Sequence, residues 1–171
     1  EALTRALASG DPERAMPVVG QWSTRANTRE AHEALATLLE ECGRTEELAE
    51  ALDALVPHLE GAARAANRRR LGYLHGAEGR TDDAIAAWSE ALALDPTDLA
   101  SFGALAEAFT EASRDADLIA LFEAHDASAA HAPHVASLYA LALERVGRHD
   151  DAAQRLAALV ASGSADDTAL E

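Results

Sequence analysis

The apolar and small positions of this chain recur at one spacing. Leu71, Leu105 and Tyr139 fall 34 residues apart, and Gly72, Ala106 and Ala140 keep the same step beside them. Trp88, Phe122 and Leu156 form a third column. The polar punctuation shares the period. Gly79-Arg80-Thr81-Asp82-Asp83-Ala84 returns as Gly147-Arg148-His149-Asp150-Asp151-Ala152, 68 positions on, or twice 34. Ser113-Arg114-Asp115-Ala116-Asp117-Leu118 lies midway as a worn copy. Gly43-Arg44-Thr45-Glu46-Glu47-Leu48 stands 36 positions upstream of Gly79, and Gly10-Asp11-Pro12-Glu13-Arg14-Ala15 a further 33. Self-similarity at such a period marks a repeat array.

Ala and Leu dominate between the columns, and they are the strongest helix formers. Each unit is therefore expected to be two antiparallel helices, A and B, joined by a tight turn. The pattern predicts helices over 12–22, 29–42, 46–57, 63–78, 82–94, 99–112, 115–126, 134–146 and 149–161. Gly79 and Gly147 fall where a helix ends in the left-handed conformation. Gly72, Ala106 and Ala140 should let helix A approach helix B, as should Ala84 and Ala152, with Leu118 the exception. Trp88, Phe122 and Leu156 should fill the space between units. Asp11-Pro12 reads as an N-cap and first helical residue, and Pro17 should kink or shorten the helix that follows. The linker at 59–64 is two residues longer than strict spacing allows, and 162–171 reads as a frayed tail or the lead into a further repeat.

Residues 65–98 resemble the tetratricopeptide repeat (TPR), whose pattern is Trp-x2-Leu-Gly-x2-Tyr, then Ala-x3-Phe, then Pro. Here it reads Arg68-x2-Leu71-Gly72-x2-His75, then Ala84-x3-Trp88, then Pro96, with Arg68 and His75 departing from it. The resemblance implies an all-α, right-handed superhelical solenoid of antiparallel helix pairs with a concave face. Its units would be an incomplete repeat over 1–28, repeats over 29–64, 65–98, 99–132 and 133–166, and a tail over 167–171. It also implies a non-catalytic scaffold or adaptor that holds a peptide or partner domain in a groove lined by the A helices.

Carried over position by position, that groove takes Glu30, Glu33, Thr37, Glu40 and Glu41 from the second repeat. The third supplies Arg69, Arg70 and Tyr73, and the fourth Glu107, Thr110 and Glu111. The fifth supplies His134, Ser137, Leu141, Glu144 and Arg145. The family's clamp for C-terminal carboxylates uses Lys and Asn at several of these places. This chain offers Arg69, Tyr73, Gly103 and Ala104 instead, which argues against that clamp. What remains is a basic, aromatic centre between acidic walls, suited to a peptide carrying both signs of charge.

Charge narrows the partners further. The chain has 30 acidic residues against 14 basic ones, a net charge of −16, and every basic residue is Arg. Such a surface repels phosphate backbones, so protein is the expected partner, not nucleic acid. Abundant acid without Lys fits a GC-rich genome better than salt adaptation. Cys42 is the only cysteine, which permits a cytosol-like compartment. No apolar run is long enough to insert in a bilayer. With Glu1 in place of Met and an equally abrupt end, the chain reads as a piece of a longer protein, the cytoplasm being favoured.

Chemistry is sparse. The Asp82-Asp83, Asp150-Asp151 and Glu46-Glu47 pairs recur in every unit, as first-turn carboxylates that complement helix dipoles do and a single catalytic centre does not. His125, His131 and His134 with Asp126 could be read as zinc ligands, but they suit a polar loop around Pro133 better. No nucleophile elbow, phosphate loop or Cys–His pair is present, so neither catalysis, cofactor nor metal is expected. Two other roles fit the same repeats: a targeting region of a larger multidomain enzyme, and self-assembly into a homo-oligomer through the solenoid ends.

Overall fold

The structure is a computed structural model that describes residues 11–125 and 133–168. The chain divides into two compact units, Glu1–Asp95 and Pro96–Glu171. Among the described residues all regular structure is helical. Unit 1 holds α1 (Pro12–Ala26), α2 (Arg29–Glu41), α3 (Thr45–Leu55), a 3-10 turn (Val56–His58), α4 (Gly61–Ala77) and α5 (Thr81–Leu94). Unit 2 holds α6 (Leu99–Glu111), α7 (Asp115–Ala124), α8 (Pro133–Arg145) and α9 (His149–Thr168). From α2 onward these alternate as helix A and helix B of the expected pairs, and α1 is a B helix.

Four A-to-B turns repeat one hydrogen-bonded motif. Arg44, Arg80, Arg114 and Arg148 each donate a backbone N–H to the carbonyl five residues back, at 2.8–2.9 Å. The residue before each Arg donates to the carbonyl three back. These are paired C-terminal caps that use carbonyls the helix leaves open. Gly43, Gly79 and Gly147 take the left-handed φ they require, but the worn copy places Ser113 there, at φ +55°. Each Arg then bonds a carboxylate three residues on: Glu47, Asp83, Asp117 and Asp151, with Nε–O distances of 2.6–2.9 Å. The recurring acid thus pairs with the turn arginine as well as facing the helix N-terminus.

Pro17 does not shorten α1, which runs to Ala26. The ring leaves the Glu13 carbonyl without its helical donor, but Glu13 and Pro17 both lie on the exposed face, where water can replace it. The opposite face, Ala15, Met16, Val19 and Ser23, is buried in unit 1. Asp11 caps α1 as expected, its carboxylate accepting the Arg14 N–H at 3.4 Å.

Helix α3 ends two residues short of expectation because Pro57 has no N–H to give Asp53. Val56 donates to Asp53 instead, tightening the chain into the 3-10 turn. The Leu52 carbonyl, freed of Val56, is taken by the buried Asn67 side chain of α4 at 2.9 Å. A proline in one repeat is thereby matched by an asparagine in the next.

The core of unit 1 is aliphatic, with the Trp88 indole buried in it and Trp22 packed against it. Leu39, Leu52 and Leu71 are almost wholly buried, and Trp88 is 7% exposed. Trp88 lies on Gly72 and Gly76: a Cβ at Gly72 would overlap the indole, and one at Gly76 would sit 3.2 Å from it. Arg68, which departs from the family pattern, is held by acids of two neighbouring helices. It pairs with Asp53 at 3.0 Å and Glu90 at 2.7 Å, and Arg64 joins Glu90 at 2.7 Å. Burial works against the Glu90 charge, but the bonds from Arg64 and Arg68 outweigh it and hold the carboxyl below its usual range.

Unit 2 is built around aromatic rings. Phe102 meets Phe122 edge-on at 4.9 Å, and Phe122 stacks on Tyr139 at 4.4 Å. Asp98 caps α6, accepting the N–H of Ala100 and Ser101 and the Ser101 hydroxyl at 2.7 Å. Leu156 departs from its column. It is 45% exposed on α9, because among the described residues no later helix follows α9 to cover it. Helix α9 also continues to Thr168, past the tail expected from residue 162.

Candidate functional site

In unit 1 the facing A helices α2 and α4 border a groove of about 450 Å³ whose floor is helix B, α3. Leu52, Leu55 and Leu59 form the apolar floor, and Ala36, Ala63 and Ala66 keep the walls low. Arg29, Glu33, Thr37 and Arg70 supply the polar rim, with the buried Asn67 beneath them. The helical period explains the division: residues three and four apart on α2 and α4 share one face, and small residues there leave the floor open.

The rim charges are paired across and along the groove. Arg70 of α4 reaches Glu40 of α2 at 2.6 Å. Arg29 Nε donates to Glu33 at 2.8 Å, and the Thr37 hydroxyl donates to the Glu33 carbonyl at 2.9 Å. Of the carried-over positions, Glu33, Thr37 and Arg70 line the groove, and Glu40 joins it through its pair with Arg70. Arg69 is half-buried on α4. Tyr73 is 49% exposed and sets its ring edge against Trp88 at 5.5 Å. Glu30 and Glu41 are exposed on α2 and do not line the groove. Arg29, Asn67 and the alanine walls were missed in the sequence. Asn67 carried the one available signal, an amide on the apolar side of a helix.

In unit 2 the equivalent positions are more dispersed. Glu107 of α6 and His134 of α8 approach to 3.3 Å. The Thr110 and Ser137 hydroxyls donate to carbonyls of their own helices, those of Ala106 and His134. Glu111 is exposed, and Leu141 is exposed on α8. Glu144 bonds His149 at 3.3 Å, and Arg145 pairs with Asp115 of α7 at 3.1 Å. Glu144 and Arg145 therefore engage the B-helix side.

Two groups of histidines differ in character. His131 and Asp126 of the zinc reading lie outside the described residues, and His125 packs edge-on against Phe102 at 6.0 Å. Among the described residues no cluster of three His, Cys, Asp or Glu could hold a metal. His32 and His58 stack at 5.4 Å, and each Nε2 faces the Asn27 side-chain oxygen, at 3.1 and 3.3 Å. Burial and the neighbouring His58 push the His32 pKa down. Cys42 is half-buried at the end of α2, its thiol pushed up by burial and by Glu13.

These helix pairs, turns and columns define a TPR-type helical-repeat fold. No family model and no curated protein matches the chain. Solved structures carry the likeness. A MamA crystal structure matches over 98% of both chains at 16% identity with a TM-score of 0.64. MamA from Desulfovibrio magneticus RS-1 matches over 96% of this chain and 93% of that one, at 16% identity and 0.58. The TPR-like repeats of a Podosopora anserina kinesin light chain match over 93% and 90%, at 19% identity and 0.55. The likeness is one of fold. Among the described residues no helix is long and apolar enough to cross a membrane.

Proposed function

We propose that the chain is a non-catalytic protein-interaction scaffold that holds an extended or helical peptide against its A helices, anchored between α2 and α4. The observation that carries this is the groove itself: an apolar floor open to an incoming side chain, under a rim holding both signs of charge. A peptide with a carboxylate and a cation can exchange with the Arg70–Glu40 and Arg29–Glu33 pairs without leaving a charge unmatched. Arg69 and Tyr73 extend that anchor. Glu107, Thr110, Glu111, Ser137, Leu141, Glu144 and Arg145 are proposed contacts on unit 2. The net charge of −16 disfavours nucleic acid as the occupant.

Reversing Arg69 and Arg70 to Glu together tests the anchor. Capture of the partner by the intact chain should weaken about tenfold or more, while the helical circular-dichroism signal stays. Unchanged capture by a folded variant rejects the groove as the site.

A second reading, pairing between copies of the chain, is favoured by Leu156 and Val160, which are 45% and 73% exposed on α9. Light scattering over a concentration series decides it. A strictly monomeric chain excludes this reading and leaves the groove untouched.

A further inference from the structure

Unit 1 has a second cavity, of about 460 Å³, bordered by α1, α2 and α3. It shares no lining residue with the groove between α2 and α4. Its apolar part is Met16, Leu35 and Leu39, with Ala51 and Ala54 of α3.

Three features give it a chemical character. The first is Gly20, in the middle of α1, where glycine costs about 1 kcal/mol of helix stability against alanine. No close packing asks for it, since a Cβ there would meet nothing within 4 Å. Its effect is to widen the cavity. The second is His32, which lines the cavity and is 7% exposed. Its Nε2 faces the Asn27 side-chain oxygen, which accepts, so Nε2 carries the proton and Nδ1 keeps a bare lone pair. That Nδ1 is buried without a hydrogen-bond partner. The third is charge: among the described residues Glu47 and Glu50 are the ionised side chains on the lining, and no arginine is among them. Glu47 is already held by Arg44, which leaves Glu50 to an incoming group.

An occupant that fits must bring an apolar stem, a positive charge, and more than one N–H donor. We propose that this cavity receives an arginine side chain from a basic segment of a partner protein. Its methylenes would lie along Leu35 and Leu39, and its guanidinium would donate two N–H groups to the Glu50 carboxylate. Arginine suits this better than lysine because its planar fork presents several donors in fixed directions while its stem buries well. The site is independent of the proposed peptide groove, and either can fail without the other.

The probe is n-butylguanidinium chloride, an arginine side chain without its backbone, titrated at constant ionic strength while backbone amides are followed by NMR. Saturable shifts are expected at Gly20, Ser23, Thr24, Leu35 and Ala54, with half-saturation in the millimolar range, and none with n-butanol. Gly20→Leu fills the cavity and should abolish the saturable shifts while leaving the melting temperature equal or higher. Glu50→Gln, on an exposed position that leaves the fold intact, should raise the half-saturation concentration about threefold, the size expected of a partly exposed ion pair. The proposal is overturned by shifts spread evenly over the acidic surface, by an equal response to n-butanol, or by a Glu50→Gln titration that matches the parent. A folded Gly20→Leu variant that still binds overturns it too. Should Gly20→Leu fail to fold, the map of shifts and Glu50→Gln decide alone.

Discussion

The pairs α4–α5 and α6–α7 come from the same columns and solve the same packing problem differently. In unit 1 the A helix offers Gly72 and Gly76 and the B helix offers Ala84, and the Trp88 indole lies directly on the two glycines. In unit 2 the corresponding places are Ala106, Thr110 and Leu118. There Phe122 stacks on Tyr139 of the next helix and meets Phe102 edge-on. Small residues thus decide whether the large residue of a repeat is held within its own unit or shared with the following one. Where no described helix follows, as on α9, the large residue is left in water.

The strongest test of this contrast is truncation of the large residue. Trp88→Ala should cost about 3–5 kcal/mol, whereas Leu156→Ala should cost less than about 0.5 kcal/mol. Chemical denaturation measures both, and near-equal losses break the comparison. Next in size is Gly72→Ala. The added methyl overlaps the indole, so overpacking should cost about 1–3 kcal/mol despite the better helix propensity of alanine. Restoring most of that loss with Trp88→Leu in the same chain sharpens the assignment, and no recovery sets it aside.

Ser113→Gly should act in the opposite direction. The serine occupies the left-handed region that its three counterparts fill with glycine, so relief of roughly 1 kcal/mol is expected. Hydrogen exchange should show slower opening of α6 and α7 and no change in unit 1. The smallest effect is a pH dependence confined to unit 1. His32 has a folded pKa below its unfolded value of 6.5. Its neutral form therefore contributes stability that is fully present above that pH and lost as the pH falls from there through the folded pKa. Amide protection around α1 and α2 should weaken over that acidic window, and His32→Gln should remove the pH dependence.

Much of the fold was legible because its determinants are local. The Gly-Arg phrase is one hydrogen-bonded turn, so its recurrence located four A-to-B junctions directly, including the one where Ser113 replaces glycine. Asp11-Pro12 likewise named the start of α1. The misses depend on distant partners. Pro17 was expected to kink or shorten α1; the helix is not shortened, because Pro17 faces water, and which face a helix buries is settled by its neighbours. Leu156 matched its column and is exposed, because a column records a position and not the presence of a covering helix.

The candidate groove was legible only in part. The positions implied by the family resemblance include Glu33, Thr37 and Arg70 of the groove lining and Glu40, which Arg70 reaches. The resemblance could not foresee that Arg70 and Glu40 would hold each other, that Glu144 and Arg145 would turn to His149 and Asp115, or that Asn67 would answer a carbonyl freed by Pro57. A pairing of that kind depends on two segments meeting in space.

The sequence by itself determined the helices, their turns and the repeating order of small and large residues, since each follows from contacts within a few residues of the chain. Only the tertiary structure decided which charges are already spent on one another, which large residues are covered, and where Gly20 and the alanine walls leave room for another molecule. Those outcomes depend on how helices far apart in sequence face one another, as the Trp88 indole lying on Gly72 does.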